Sequence, residues 1–108
     1  MAQGLGEFEQ LVLLALVRLG TEAYGVAVRD EIEQRAGRDV ALGAVYTTLL
    51  RLEDKGFAAS RVGEPTPERG GRRKKFYRPT AAGRRALIES LDALRGMTRG
   101  LTPGLELR

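Results

Sequence analysis

The stretch GGRRKKFYRPT, residues 70–80, predicts a glycine turn, four successive cations, a short strand with two aromatic residues, and then the start of a helix. The segment 61–78 around it holds seven Lys and Arg against two Glu, a net charge of +5, whereas residues 1–60 have a net charge of −3. Such a local excess of cations is typical of a surface that binds a polyanion. A basic loop that is only solvated has the same composition.

This basic segment separates two predicted strands, 57–62 and 75–78, which alternate polar and apolar residues. The residues between them, 63–74, are polar and include two prolines and three glycines, so we predict a long hairpin loop. Because Phe76 and Tyr77 alternate along a strand, one of them should enter the core and the other should face the hairpin.

Three segments without internal proline precede the hairpin, and a glycine follows each of them: 7–19, 24–36 and 43–55. Their apolar spacing predicts helices, and the first is apolar on nearly every side, which indicates a central helix or a subunit interface. Residues 39–41 fit either a short strand or an extended turn. The order of elements predicts an α+β, mostly α fold, a winged helix-turn-helix with a two-stranded β-wing and a C-terminal dimerisation helix.

The third predicted helix has an unusual outer face that is small and hydroxylated, formed by Ala44, Tyr46, Thr47, Thr48 and Arg51. A helix that enters the DNA major groove needs a slim face with hydrogen-bond donors, and Arg is the commonest reader of guanine. An ion pair of Arg51 with Asp54 is the alternative, and Tyr46 could pack on the wing instead of donating to a phosphate. The cations predicted at the wing tip are Arg69, Arg72, Arg73 and Lys74.

Thr80 is a good N-cap for a last helix that runs to about Arg99. This helix carries a narrow apolar seam of the width that usually pairs with another helix: Leu87, Leu91, Leu94 and Leu101. Packing of the seam on its own domain is the alternative. We therefore divide the chain into a DNA-binding domain (1–80), a dimerisation helix (81–101) and a flexible tail (102–108).

Composition excludes several function classes. The chain has no Cys and no His, so it lacks the commonest general base and the commonest transition-metal ligands, and neither an enzyme nor a cofactor is predicted. Its longest apolar run, 11–17, is too short to span a bilayer, and no cationic region precedes it. We expect a cytoplasmic protein without a membrane partner.

Four blocks of sequence resemble the PadR-type bacterial transcriptional regulators, over about residues 5–100. The blocks are Leu5-Gly6-Glu7-Phe8-Glu9 leading into Leu11–Leu16; Tyr24-Gly25; Gly43-Ala44-Val45-Tyr46 with Leu49, Leu52, Glu53 and Gly56-Phe57; and Gly71-Arg72-Arg73 through Phe76-Tyr77, Thr80 and Gly83. The resemblance implies a homodimeric repressor whose third helix lies in the major groove and whose wing reaches the flanking backbone or minor groove. The single helix after the wing resembles the compact subgroup of the family.

Carried over to this chain, the resemblance implies that the third-helix residues above read double-stranded operator DNA and that Arg72 and Arg73 lie on the wing. Phe8 and Leu11 are predicted to join the four leucines of the last helix in the dimer interface. The chain departs from the family at Pro79, where an aliphatic residue is common, and in having no Trp, so an aromatic multidrug pocket is not expected.

The function predicted from the sequence is therefore a dimeric, sequence-specific regulator, a repressor released by a small-molecule effector near the dimer interface. A winged-helix protein-interaction module without DNA binding is the alternative, and an RNA-binding winged helix is a third reading.

Overall fold

The chain forms helices and one β-hairpin in the order α1-α2-α3-β1-β2-α4-α5, in a computed structural model that describes residues 4–65 and 73–105. The elements are α1 (Glu7–Leu19), a 3-10 turn (Gly20–Glu22), α2 (Gly25–Ala36), α3 (Leu42–Asp54), β1 (Ala58–Pro65), β2 (Arg73–Pro79), α4 (Ala81–Thr98) and α5 (Thr102–Leu105). The mostly helical α+β fold predicted from the sequence is confirmed, and so is its two-stranded wing. None of the helices in the described ranges is both long and apolar enough to cross a bilayer.

The helix ends are defined by specific contacts. At the start of α1, the Glu9 carboxylate accepts the Gly6 N–H at 2.8 Å. This bond gives an acceptor to a backbone N–H that has none within the helix. At the start of α4, the Thr80 hydroxyl accepts the Gly83 N–H at 3.0 Å and donates to the Gly56 carbonyl at 2.6 Å. The predicted N-cap is therefore confirmed, and it also ties α4 to the turn that precedes the wing.

The core lies around α1, which packs against α2, α3, α4 and β2. Its fully buried side chains come mainly from α1, α2 and α3: Val12, Leu13, Leu16, Val28, Val45, Leu49 and Leu52. Leu87 joins this core and is only 5% exposed. Its predicted place in the dimer interface is therefore wrong, because its side chain is covered by its own domain.

The wing is an antiparallel hairpin in which Ala58 pairs with Pro79 and Arg61 pairs with Phe76. Both strands extend further into the predicted loop than expected, with an irregular register between Val62 and Pro65. Pro79 is the last residue of β2, the end position at which a missing N–H is tolerated.

The second edge of β2 contacts the segment that precedes α2. The Tyr77 N–H donates to the Ala23 carbonyl at 2.8 Å, and Tyr24 forms an isolated bridge with Phe76. Tyr77 is buried whereas Phe76 is half-buried and packs edge-on against the Tyr24 ring, as the alternation predicted. Tyr24 itself is the N-cap residue of α2 and packs on the wing.

Of the two alternatives for residues 39–41, the extended turn is the one formed, as the connection into α3. One further expectation is corrected. The predicted flexible tail begins with a short helix, α5, at Thr102–Leu105. Arg69 and Arg72 lie outside the described residues, so the structure says nothing of them.

Candidate nucleic-acid interface

Helix α3 exposes one face whose residues were mostly predicted from the sequence. Ala44, Tyr46, Thr47 and Arg51 are exposed, whereas Thr48 is 4% exposed and belongs to the buried side. Thr48 follows Val45 by three residues and therefore points toward the core. Its predicted contact with DNA is wrong.

Leu50 is a member of this outer face that the sequence reasoning missed. It is 53% exposed, between Thr47 and Asp54 at helical spacing. Its exposure could have been predicted from its position, because Leu50 falls outside the helical spacing that places Val45, Leu49 and Leu52 on the core face. An exposed leucine here offers apolar contact area, which in a DNA-reading helix suits a thymine methyl group.

Tyr46 packs on the first turn of α2. A methyl group at Gly25 would lie 2.5 Å from Tyr46 ring atoms, so the glycine is required for this approach. Tyr46 is nevertheless 42% exposed.

Two carboxylates that the sequence analysis did not identify hold the ends of α3. The Glu33 carboxylate accepts the Val40 N–H at 2.9 Å and so fixes the turn between α2 and α3. At the other end, the Lys55 ammonium donates to both oxygens of Glu9, at 2.8 and 3.1 Å. Burial alone would raise the pKa of Glu9. The hydrogen bonds from Lys55 and from the Gly6 N–H, with the charges of Lys55 and Arg51, outweigh it and hold the pKa below its ordinary value.

Glu53 connects α3 to both strands of the wing. Its carboxylate accepts the Ser60 hydroxyl of β1 at 2.7 Å and lies 3.7 Å from the Lys75 ammonium of β2. One side chain near the C-terminal end of α3 thus contacts both strands of the wing.

The wing cations lie over aromatic rings at its base. The Arg61 guanidinium is 4.6 Å from the centre of the Phe76 ring, and the Lys74 ammonium is 4.1 Å from that of Tyr24. These distances fit cation–π contacts. Of the predicted wing cations, Arg73 and Lys74 are described and exposed, and Lys74 is held by Tyr24.

The outer face of α3 bears no acidic residue before Asp54, and in the described ranges Arg51 takes part in no ion pair. The alternative pairing of Arg51 with Asp54 is therefore not formed. The described residues also contain no cluster of side chains that could hold a metal ion. The face offers a hydroxyl, a phenol and a guanidinium as donors, which is the chemistry that binds phosphates and base edges.

The remaining residues of the predicted dimer interface divide into two groups. Phe8, Leu11 and Leu91 are partly buried against the core of their own domain. Leu94 and Leu101 are exposed, as are two further apolar residues of α4, Ile88 and Met97, the latter at 76%.

Comparison with known proteins adds independent evidence. The model of the Transcriptional regulator PadR-like family matches residues 13–89. Transcriptional regulator Rv3488 of Mycobacterium tuberculosis strain H37Rv is 38% identical over 85 residues, covering 77% of this chain and 73% of that protein. A PadR family transcriptional regulator from Eggerthella lenta is 30% identical with a TM-score of 0.66, over 94% of this chain and 88% of that chain. A PadR family regulator from Clostridium difficile, at 22% identity, shares the fold with a TM-score of 0.73, over 93% and 99% of the two chains.

Proposed function

The chain belongs to the PadR-like family of transcriptional regulators, and on that premise we propose that it is a homodimeric, sequence-specific DNA-binding protein. The observation that carries the proposal is the outer face of α3, where Thr47, Leu50 and Arg51 are exposed and where no acidic residue precedes Asp54. Arg51 is assigned to a base edge, and Thr47 and Tyr46 to phosphates, because backbone contacts outnumber base contacts in such interfaces.

The wing would bind the DNA backbone without sequence preference. Arg73 and Lys74 are exposed at its described end, and each phosphate that they neutralise releases condensed counterions. Arg69 and Arg72 are assigned the same role from the sequence alone. Because Glu53 ties the wing to α3, the two contacts would be made together.

Dimerisation is proposed through α4, because the described monomer leaves Leu94 and Met97 exposed on its last turns and Leu101 exposed shortly after its end. Exposed apolar residues that are contiguous in this way are typical of an interface. Phe8 and Leu11 would complete the interface from α1. Two α3 helices related by a twofold axis would engage half-sites of a pseudo-palindromic operator about one helical turn apart.

We further propose that the protein is a cytoplasmic repressor and that an effector bound near the dimer interface releases it. Such release requires different effector affinities in the DNA-competent and DNA-incompetent dimers. The alternative is a protein-interaction module in which a partner docks on the second helix. It has less support than DNA binding, because two glutamates of that helix already have hydrogen-bond partners within the chain. Glu31 accepts hydrogen bonds from Arg18 and Arg35, and Glu33 is occupied by the Val40 N–H.

The test is fluorescence anisotropy with the duplex upstream of the gene and a scrambled duplex, over a series of salt concentrations. Affinity for the native duplex should exceed that for the scrambled one by about 10³-fold or more. Replacing Arg51 by Ala should weaken native binding by about tenfold or more, since a good bidentate base contact discriminates by ~1–3 kcal/mol. It should change scrambled binding far less.

The matched control is Arg99→Ala, which removes an arginine at the C-terminal end of α4 and should leave both affinities unchanged. Equal binding of both duplexes would reduce the function to nonspecific electrostatics. Binding of neither duplex, or indifference to Arg51→Ala, would contradict the DNA-reading assignment of α3.

A further inference from the structure

A cavity of about 230 Å³ lies at the base of the wing, away from α3. It is bounded by the C-terminal end of α1, the 3-10 turn, both wing strands and the first turn of α4. Three arginines line it, Arg61, Arg78 and Arg84, and its apolar lining residues include Val17, Phe76 and Pro79. We call this cavity the arginine pocket.

The positive charge of the arginine pocket is not neutralised within the described part of the chain. None of its lining residues is acidic, and Arg61, Arg78 and Arg84 take part in no ion pair there. The other arginines of the helical body often do form pairs, as Arg18 and Arg35 do with Glu31. Three unpaired guanidinium groups around one cavity are an arrangement that a multiply charged anion would stabilise.

Arg61 is already oriented for such a ligand. Its guanidinium lies over the Phe76 ring and its terminal nitrogen donates to the Thr21 carbonyl at 3.4 Å, a long contact that leaves further donors free. Arg78 lies on β2, two residues after Phe76, and Arg84 approaches from α4. Planar guanidinium forks match the oxygens of a phosphate group in a bidentate manner, whereas a single carboxylate would neutralise only one of the three charges.

We propose that the arginine pocket binds a small phosphate monoester whose organic part is a compact apolar or aromatic ring. The phosphate contacts Arg78 and Arg84, and the ring lies against Val17 and Pro79, because the Arg61 guanidinium already covers Phe76. The cavity is smaller than the ~300 Å³ at which sites for drug-sized ligands begin, so a single ring fits and a dinucleotide does not. Because the lining comes from α1, the wing and α4, a bound ligand ties the base of the wing to the helical body. Control of DNA affinity by that tie rests on the proposed function, but binding itself does not.

The test is an NMR titration of the isotope-labelled full chain with phenyl phosphate, followed through backbone amide shifts. We expect saturable shifts at Gly20, Thr21 and Arg84, with a Kd of roughly 1 mM or below. Inorganic phosphate and benzyl alcohol, which each carry half of the proposed chemistry, should bind at least about tenfold more weakly. Arg84→Gln should weaken phenyl phosphate binding about tenfold or more, while Arg85→Gln, its exposed neighbour outside the pocket, should not.

The other outcomes distinguish failure of the pocket from failure of the proposed function. Absence of saturable shifts with phenyl phosphate, or equal loss in Arg84→Gln and Arg85→Gln, refutes the pocket. Equal binding of inorganic phosphate refutes the role of the apolar lining residues. If phenyl phosphate fails and Arg84→Gln instead weakens binding of both duplexes alike, these arginines contact DNA phosphates and hold no small ligand. A protein that binds phenyl phosphate but neither duplex would contradict the proposed function and leave the pocket supported.

Discussion

Replacing Glu9 by Gln tests how the C-terminal end of α3 is held. Glu9 is buried at the start of α1 and accepts the Lys55 ammonium through both of its oxygens. It also accepts the Gly6 N–H in the cap of α1. Gln keeps the shape and one acceptor oxygen but removes the charge, so the substitution isolates the ion pair from the cap.

The cost follows from the exposure of the two partners. Removing one member of a fully buried pair costs about 3–5 kcal/mol, because the other charge is stranded. The Lys55 side chain is 23% exposed and can regain water, so we expect about 1–3 kcal/mol for Glu9→Gln. In a double-mutant cycle with Lys55→Met, the coupling energy should be about 1–2 kcal/mol.

The assay is urea unfolding at a fixed protein concentration, since dimerisation would otherwise change the apparent stability. With a slope of ~1–3 kcal/mol/M, the midpoint should fall by about 1 M. The lowered pKa of Glu9 adds a pH signature. The contribution of the carboxylate is present above its unfolded pKa and is lost as pH falls through the lower folded value, so the difference between the two proteins should be constant above the unfolded pKa and should shrink as pH falls below it. A coupling energy near zero, or a difference that does not change as pH falls below the unfolded pKa, would refute the reasoning.

Two more substitutions test the packing of α4 and its exposed end. Gly83→Ala should destabilise the fold by ~2 kcal/mol or more in thermal unfolding, because the added Cβ would lie 2.0 Å from the Phe57 carbonyl oxygen. The control is Gly96→Ala, which lies in open space on the same helix and should be neutral or stabilising in the same assay. Leu94→Glu should shift the proposed dimer toward monomer in sedimentation equilibrium, because it would bury a charge in the interface. The control is Ala93→Glu, on another side of α4, which should not shift it. A dimer that persists in Leu94→Glu would contradict an interface through α4.

The main helices were predictable because local signals agree with the tertiary fold. α1 has the predicted bounds, and α2 and α3 differ by about one residue, since a glycine follows each helix closely. The short α5 was missed because Pro103 and Gly104 argue against a helix. Proline is nevertheless tolerated in the first turn, where its missing N–H has no helical partner to lose.

The errors in the candidate site arise because a pattern of residue types does not show which side chains are buried or which elements contact each other. Thr48 lies at a core position, but its hydroxyl made it resemble the outer face of α3. Leu87 lies on the predicted seam, but periodicity gives the face of a helix and not the molecule that covers it. The hydrogen bonds between Glu9 and Lys55 and between Glu53 and Ser60 join residues from separate elements. The spacing of residues along the sequence therefore does not predict them.

The attachments of α3 and of the wing differ in physical character, and this difference has a consequence for DNA binding. α3 is held by buried apolar side chains, by Tyr46 against Gly25 and by the buried Glu9 carboxylate, all of which salt screens little. The wing is joined to α3 partly through Lys75, whose side chain is 45% exposed and whose ammonium lies 3.7 Å from Glu53. Exposed pairs of this kind are weak and weaken further with salt. Added salt therefore acts twice on the wing, by screening its phosphate contacts and by loosening its attachment, whereas the orientation of α3 is kept. Specificity should for this reason persist at salt concentrations at which most of the wing's contribution to affinity is lost.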